Sequence, residues 1–448
     1  MIKGSLKDRM TFTFPDEWEI RTLSDITTDI IDNRGKTPPL DKDGKFLALK
    51  VDTLANMGAY LSTFASSVPT YLYATLLAGT YSTPAIHCNV RSIFTNTVPV
   101  DAYRGAGRPE SIYMIERLMD KAAQELGVDR IQLRRKNFIS SKIMPFTTTA
   151  DEIYDSGDFD RVINMVTARA NWQTFGDRRA EAKNLGRRRG IGLCYYIEST
   201  MGDPGEAAEV RFEPDGTVSI LVGTQSNGQG HETAYAQVAS DRLGVPMGEI
   251  RIVQGDTDLV ATGGGTGGSR SLTAQATAID AAADLVIERG KHYAAQGLEA
   301  AFADIEFEDG TFKIAGTDRH IAILDLAHQA RTMDAPTDDI DGGLDARGTI
   351  TLPAWTFPNG CHVAEVEIDP QTGVTSLESY TIVDDFGTLV NPLLVEGQVH
   401  GGIAQGLGMA LMEEYIPGRT ENLHDYLIPT IGDIPPIETI IVEDPDAH

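Results

Sequence analysis

The string Ala102-Tyr103-Arg104-Gly105-Ala106-Gly107-Arg108-Pro109-Glu110 leaves the chain few ways to fold around it. One short loop holds an aromatic, two arginines and two glycines. From Ser111 to Leu126, Ile112, Ile115, Met119, Ala122 and Leu126 then recur at helical spacing, the mark of an amphipathic helix with one buried stripe. Pro109 suits the first helical turn and Glu110 the positive end of the helix dipole. The glycines let backbone approach a ligand closely, and the arginines bring forked donors for oxyanions. A lone GxG would be an ordinary helix entry; the whole string is more specific.

Three further segments share its character. Thr224-Gln225-Ser226-Asn227-Gly228-Gln229-Gly230-His231-Glu232 follows a strand ending at Gly223 and opens a helix from His231 to Leu243 that Gly244 and Pro246 close. Such a helix start aims free backbone N–H groups at an anion, and the Gln229 amide can both donate and accept. A plain helix cap is the competing explanation. Gly263 to Ser271 places five glycines in six positions before an Ala-rich helix, Leu272 to Arg289. A flexible linker would account for the glycines equally well, yet Ser269 and Ser271 offer hydroxyls and Arg270 a bidentate fork to a phosphate. Glu396 to Ala410 reads as a helix despite its glycines, with Gly402 and Gly406 one turn apart so that a backbone or flat ligand can lie against them. His231 and His400 have no second ligand at convincing spacing and are taken as structural, so no metal ligand is assigned.

Around these segments the chain is mixed α and β. Leu40–Phe46, Phe212–Val218 and Ile368–Val374 each set Asp, Pro or Gly turn residues between β-prone runs, the pattern of a hairpin. The fold class is α+β, with mixed and antiparallel sheets covered by helices. Asp129 reads as the cap of a short basic helix through Lys136. The stretch from about Ser140 to Asn184 is polar and reads as irregular, so a boundary is placed near residue 180, giving a leader at 1–39 and domains at 40–180 and 181–448.

At 448 residues the chain can bury two or three cores, and a net charge of −27 argues against nucleic-acid or anionic-membrane partners. No apolar run approaches the ~20 residues that span a bilayer, and Met1 to Met10 carries no apolar signal core. Cys88, Cys194 and Cys361 are odd in number and far apart, which fits a reducing, cytoplasmic compartment. An iron–sulfur cluster usually takes four cysteines, so this chain cannot hold one alone.

Taken together, the motifs resemble the large subunit of the molybdenum hydroxylases, the family of xanthine dehydrogenase, aldehyde oxidase and aerobic carbon monoxide dehydrogenase. The resemblance runs from about residue 40 to 448 and includes Phe357-Pro358-Asn359-Gly360-Cys361-His362-Val363-Ala364 and Val383-Asp384-Asp385-Phe386-Gly387. It implies two molybdopterin-binding domains and a molybdenum–molybdopterin cofactor, in the cytosine dinucleotide form. Gly228, Gln229, Gly230, Ser269, Arg270, Ser271 and Gln398 would contact that cofactor. Arg104, Gly105 and Ala106 would belong to the substrate loop. It further implies a small-molecule substrate, an iron–sulfur small subunit and an FAD-binding medium subunit.

Two departures from the family follow. Its early Gly-Gly-Phe-Gly loop is absent, and residues 1–39 weakly resemble the opening of a type I restriction specificity subunit instead. Its catalytic Glu, in a G-x-G-E segment, would come after Asp444-Pro445-Asp446-Ala447-His448, so the chain reads as the central two-thirds of a catalytic subunit, unable to hydroxylate on its own. Where the copper-dependent carbon monoxide enzymes carry a Cys ligand this chain has Gly105, and where xanthine-type relatives carry a stacking aromatic it has Ala106. The expected substrate is an aldehyde or a related carbon centre; carbon monoxide, xanthine-type heterocycles and a non-catalytic truncated subunit are the alternatives.

Overall fold

Strand β1 (Leu49–Asn56) alternates buried and exposed side chains, as a half-buried strand must, in the computed structural model, which describes residues 40–443 except 42, 201, 336–341 and 417. The leader at 1–39 lies outside the described residues. The chain folds as two compact units, both discontinuous in sequence: one runs to Glu198 and takes in Phe357–Thr388 and Val399–His448, the other comprises Ser199–Thr356 and Leu389–Gln398. Residue 180 falls inside a helix of the first unit.

In the first unit β1 pairs in parallel with β2 (Ile86–Ile93), under helix α1 (Arg108–Leu126). Most of the stripe read from the sequence is the buried face of α1, with Ile112, Ile115, Met119 and Ala122 all below a tenth exposed, but Leu126 in the last turn is 44% exposed. Burying Ile112, Ile115 and Met119 contributes about 1.5–3 kcal/mol each. Gly107 and Gly127, both left-handed, bound the helix. Asp129 caps α2 (Arg130–Asn137) by accepting from the N–H groups of Ile131 and Gln132. Two short strands follow, β3 (Phe146–Thr147) and β4 (Ile153–Tyr154).

The stretch from Ser140 to Asn184 is more regular than its composition suggests. It forms α3 (Phe159–Arg169) and α4 (Phe175–Asn184). Asp158 caps α3 through the Arg161 N–H at 3.1 Å, and the buried stripe Phe159, Val162, Ile163 and Val166 is obscured in the sequence by charged neighbours. Next comes β5 (Arg188–Ile197), which crosses beneath α1. The buried Glu116 of α1 joins these pieces. It accepts from the Tyr195 N–H at 2.9 Å, from Arg134 Nε at 3.0 Å and from the Tyr81 hydroxyl. Burial would lower the Arg134 guanidinium, but Glu116, Tyr81 and Asp120 outweigh it and hold it well above its usual range.

The second unit contains β6 (Gly205–Phe212), β7 (Val218–Val222), α5 (His231–Leu243), β8 (Ile250–Val253), α6 (Ser271–Gly297), β9 (Ile305–Glu308), β10 (Thr311–Ile314), β11 (His320–Ala322), α7 (Ile323–Ala330) and β12 (Ala346–Thr351). Its main sheet runs β12-β6-β7-β8, antiparallel except for β7 with β8, and a smaller antiparallel sheet runs β11-β10-β9. The Ala-rich α6 lies across the main sheet because Ala274, Ala278, Ala282 and Ala283 leave little between helix and strands. The chain then returns to the first unit as β13 (Asn359–Ile368) and β14 (Thr375–Asp385), passes through α8 (Pro392–Leu411), and continues to β15 (Ile437–Val442). The sheet there runs β15-β14-β13-β5, with only β15 parallel to its neighbour.

The turn segments 212–218 and 368–374 form the β6–β7 and β13–β14 hairpins, and Leu40 bridges Phe46.

A prediction concerns Gly290 in α6. In an exposed helix, Gly→Ala would add about 1 kcal/mol of stability. Here an added Cβ would overlap the Phe312 ring, whose Cε1 lies 2.8 Å from it. Gly290→Ala is therefore expected to destabilise by about 1–3 kcal/mol, read as a lower thermal unfolding midpoint.

Candidate functional site

In the second unit the two glycine loops are tied to each other. Strand β7 ends at Val222, and the next residues return into α5 through Gly228 and Gly230, with φ of 101° and 78°. The loop Gly263–Ser269 delivers the chain into α6. Between them, the Gln225 N–H donates to Thr266 Oγ1 at 2.9 Å, and the Thr266 hydroxyl donates to the Gln225 carbonyl at 2.6 Å. Beneath, Thr224 meets the Tyr235 hydroxyl at 2.8 Å, Tyr235 donates to the Ser271 carbonyl at 3.1 Å, and the buried Gln275 amide accepts from the Thr224 N–H. The starts of α5 and α6 are therefore held side by side. Each leaves N–H groups without an intrahelical acceptor and presents the positive end of a dipole, a combination that suits an anion with several oxygens.

Arg270 does not present the fork suggested for a phosphate. Its side chain is 2% exposed and paired at 2.8 Å with Glu206, itself 1% exposed. Nε donates to the Asp203 carbonyl, Nη1 also to the Gly265 carbonyl, and Nη2 to the Gly205 carbonyl, at 2.7, 3.0 and 2.7 Å. Arg270 thus fastens the loop from below rather than receiving a ligand. Sequence reasoning missed its partner; a lone Glu inside the apolar strand Gly205-Glu206-Ala207-Ala208 was the available signal. Ser269 remains exposed in a left-handed conformation at φ 60°, and Ser271 opens α6.

Gly228 has open space where a Cβ would stand, whereas a Cβ at Gly230 would meet Leu394 at 2.7 Å. Gln229 is partly exposed and its side chain accepts from the Asn227 N–H. Gln398 lies one turn beyond Leu394 on α8, hence on the same helix face. Asn391 anchors that segment by donating to Gln237 of α5 at 2.7 Å and accepting from the Leu394 N–H. Loop 228–230, loop 269–271 and Gln398 therefore belong to one unit, in which the two loops are joined at Gln225 and Thr266 and Gly230 faces Leu394 of α8.

His231, at the start of α5, is 4% exposed and stacks at a tilt on Tyr235. Burial holds its pKa below the usual value, against the pull of Gln254 and Glu232.

The loop Ala102–Gly107 belongs to the first unit. Gly105, Ala106 and Gly107 are left-handed in succession, with φ of 91°, 31° and 88°. Ala106 is strained there, and its N–H is held by the Tyr103 carbonyl at 2.8 Å. A Cβ at Gly105 would meet Pro109 Cγ at 2.7 Å, and one at Gly107 the Val68 carbonyl at 2.5 Å. The Arg104 guanidinium lies against Gly401 and Gly402 of α8. Arg108 is buried and pairs with Glu198 at 3.2 Å, while Glu413 accepts from the Tyr426 hydroxyl at 2.6 Å.

A family model described as a molybdopterin cofactor-binding domain matches residues 165–435, and a second of the same description matches 38–138. The chain is 34% identical over 433 residues to the carbon monoxide dehydrogenase large chain of Hydrogenophaga pseudoflava, covering 91% of this chain and 53% of that protein. It is 32% identical to the 6-hydroxypseudooxynicotine dehydrogenase complex subunit gamma of Paenarthrobacter nicotinovorans, covering 90% and 52%. Among solved structures, quinoline 2-oxidoreductase from Pseudomonas putida 86 superposes with a TM-score of 0.84 at 34% identity, over 92% of this chain and 55% of that one. The chain thus spans about half the length of the curated relatives it matches.

The buried Arg270–Glu206 pair carries the prediction. Arg270→Met leaves an uncompensated carboxylate in the core and is expected to destabilise by about 3–5 kcal/mol in urea unfolding. Adding Glu206→Leu should recover much of that loss; a double variant no more stable than Arg270→Met would show that the carboxylate is not the source.

Proposed function

Because the chain belongs to the molybdopterin-binding large-subunit family of the molybdenum hydroxylases, we propose that it is the cofactor-holding part of an enzyme that oxidises a small carbonyl compound with water as the oxygen source. The observation that carries this reading is the pair of helix starts, α5 and α6, joined by hydrogen-bonded glycine loops in one unit. A dinucleotide form of molybdopterin, the cytosine form in this proposal, would place its phosphates on those N–H groups. Gly228 and Gly230 would admit it at close range, Gln229 and Gln398 would supply amides, and Ser269 and Ser271 hydroxyls. Arg270 would act indirectly, by keeping the second loop in shape. The bound cofactor supplies oxidative hydroxylation: water's oxygen joins the substrate carbon while that carbon's hydrogen departs with an electron pair. The electrons would pass to iron–sulfur and FAD subunits, since this chain has only three cysteines, all free.

The protein's own part is binding and orientation. Arg104 would border the substrate and steady a carbonyl oxygen with its guanidinium. Gly105 and Ala106 would leave that space open. Neither Glu198, paired with Arg108, nor Glu413, engaged by Tyr426, is proposed as the base.

Copper-dependent carbon monoxide oxidation fits less well. A soft thiolate is what Cu(I) needs. The Gly105 position has no room for a side chain without displacing Pro109. Burial, with Asp52 adding to it, pushes the Cys88 thiol up to about 11. A stacking aromatic for purines is missing at Ala106, where such contacts are worth about 0.5–1.5 kcal/mol beyond burial. No helix among the described residues is long and apolar enough to cross a membrane, and we place the enzyme in the cytoplasm.

Metal analysis of the protein purified with its partner subunits should find molybdenum and no stoichiometric copper. Gly230→Val, whose side chain would strike Leu394 in a left-handed conformation, should lose most of the molybdenum. Full molybdenum in that variant would remove the loop from the site. In the same complex, simple aldehydes should turn over faster than xanthine, and the reverse order would overturn the substrate reading.

A further inference from the structure

Two asparagines of this chain precede a glycine, Asn227 and Asn359, and the fold treats them in opposite ways. At an Asn-Gly step the side-chain carboxamide can close on the next backbone nitrogen with least obstruction, because glycine sets no Cβ beside it. In a folded protein the closure also needs a backbone that can turn and a carboxamide that can swing.

Asn359 has neither. It lies in β13, paired with Asp385 of β14 on one side and Ile197 of β5 on the other. It is 2% exposed, and its side-chain oxygen accepts from the Tyr195 hydroxyl at 3.0 Å. Asp384 and Tyr196 fill the space over Gly360, where a Cβ would overlap Asp384 Oδ1 and come to 2.8 Å from Tyr196 Cε1.

Asn227 has both. It is exposed and sits outside helix and strand, at the tip of the loop between β7 and α5. The chain is anchored just before the tip, where the Ser226 N–H donates to the Gln254 side chain at 2.9 Å, and just after it, where Gly230 faces Leu394. Between those anchors Gly228 is exposed, with open space at its Cβ position. The Gly228 N–H reaches Ser226 Oγ at 3.4 Å, beyond the usual hydrogen-bond range, so its nitrogen is weakly held. The Asn227 N–H donates to the Gln229 side chain, but no hydrogen bond among the described residues holds the Asn227 carboxamide.

We propose that Asn227 is a site of spontaneous deamidation that sets a carboxylate into the loop before α5. The Gly228 nitrogen bonds to the side-chain carbonyl carbon of Asn227, and the side-chain nitrogen leaves with the Gly228 amide proton as ammonia. The five-membered imide so formed is opened by water. Attack at one carbonyl gives Asp; attack at the other gives an isoaspartyl link, in which the main chain runs through the β-carbon and is one carbon longer. Either product carries a negative charge beside the N–H groups that start α5. There it would repel an anionic ligand. That this ligand is the cofactor's phosphates rests on the function proposed above; the ring closure does not.

The test is to hold the full chain in warm, mildly alkaline buffer and follow both Asn-Gly steps by peptide mapping. The Asn227 peptide should gain the mass difference between Asn and Asp, in aspartyl and isoaspartyl forms, at least several-fold faster than the Asn359 peptide. Equal rates in the folded chain, or an Asn227 that stays intact, overturn the proposal. In urea, where neither step keeps its surroundings, the two rates should converge; an Asn359 that stays slow there would show that the fold is not what separates them and would overturn the argument. The consequence for the cofactor is read separately, as molybdenum content of the complex purified with its partner subunits. Asn227→Asp should hold several-fold less molybdenum than Asn227→Gln, which stays neutral, and equal contents overturn that consequence. Because the peptide map needs neither cofactor nor substrate, its failure is distinct from a failure of the functional reading, which Gly230→Val and the aldehyde assay test.

Discussion

The buried pair of Arg270 and Glu206 is the interaction on which the candidate site is built. Taking two charges out of water is costly, and only good geometry with further hydrogen bonds offsets it. Here three backbone carbonyls, from Asp203, Gly205 and Gly265, complete the guanidinium, and the Ala207 N–H donates to Glu206. The consequence spreads to the neighbouring glycines. A Cβ at Gly264 would stand 2.6 Å from Arg270 Nη1, one at Gly202 2.9 Å from its Cδ, and one at Gly223 would overlap Glu206. In the run of glycines, Gly264 is laid tightly over the ion pair and Gly263 against Gly223, while Gly265 and Gly267 face open space. That tightness lets the starts of α5 and α6 keep a fixed relation to each other.

The first unit uses a second buried charge to a similar end. Glu116 takes the Tyr195 N–H, the Arg134 guanidinium and the Tyr81 hydroxyl, so α1, α2 and β5 share one carboxylate. The loop leading into α1 can then hold three left-handed residues in a row, including the strained Ala106, because the helix behind it cannot shift. Both units thus place a stiff charged core under a glycine-bearing loop, an arrangement suited to preorganised binding rather than to large rearrangement.

Much of this is legible in the sequence, and the misses have physical causes. The helix from Arg108, the Asp129 cap, the helix from His231 to Leu243 and both long hairpins follow from periodicity, caps and turn residues, which act within a few positions of the chain. The helix at Phe159–Arg169 is hidden because its short apolar stripe sits among charges, and that at Phe175–Asn184 because it buries only Ala182 among its charges. One of those charges, on Arg178, is engaged by Glu365 at 2.7 Å, far along the chain. Arg270 reads as a ligand-binding fork because a Gly-Ser-Arg-Ser string names donors but not their direction; Glu206, 64 residues earlier, takes up its Nη1.

The sequence by itself determined which segments are helix starts, which are turns, and which family the glycine loops belong to, since those depend on local backbone preference and on residue types at fixed spacing. Only the tertiary structure decided which donors face outward and which are consumed within the fold. It paired Arg270 with Glu206, stacked the buried His231 on Tyr235, and gathered Tyr196, His362 and Asp384 over Gly360. Those outcomes depend on strand register and helix docking across tens to hundreds of residues. Hydrogen-bond direction and desolvation are set by these long-range neighbours and leave no periodic trace in the chain.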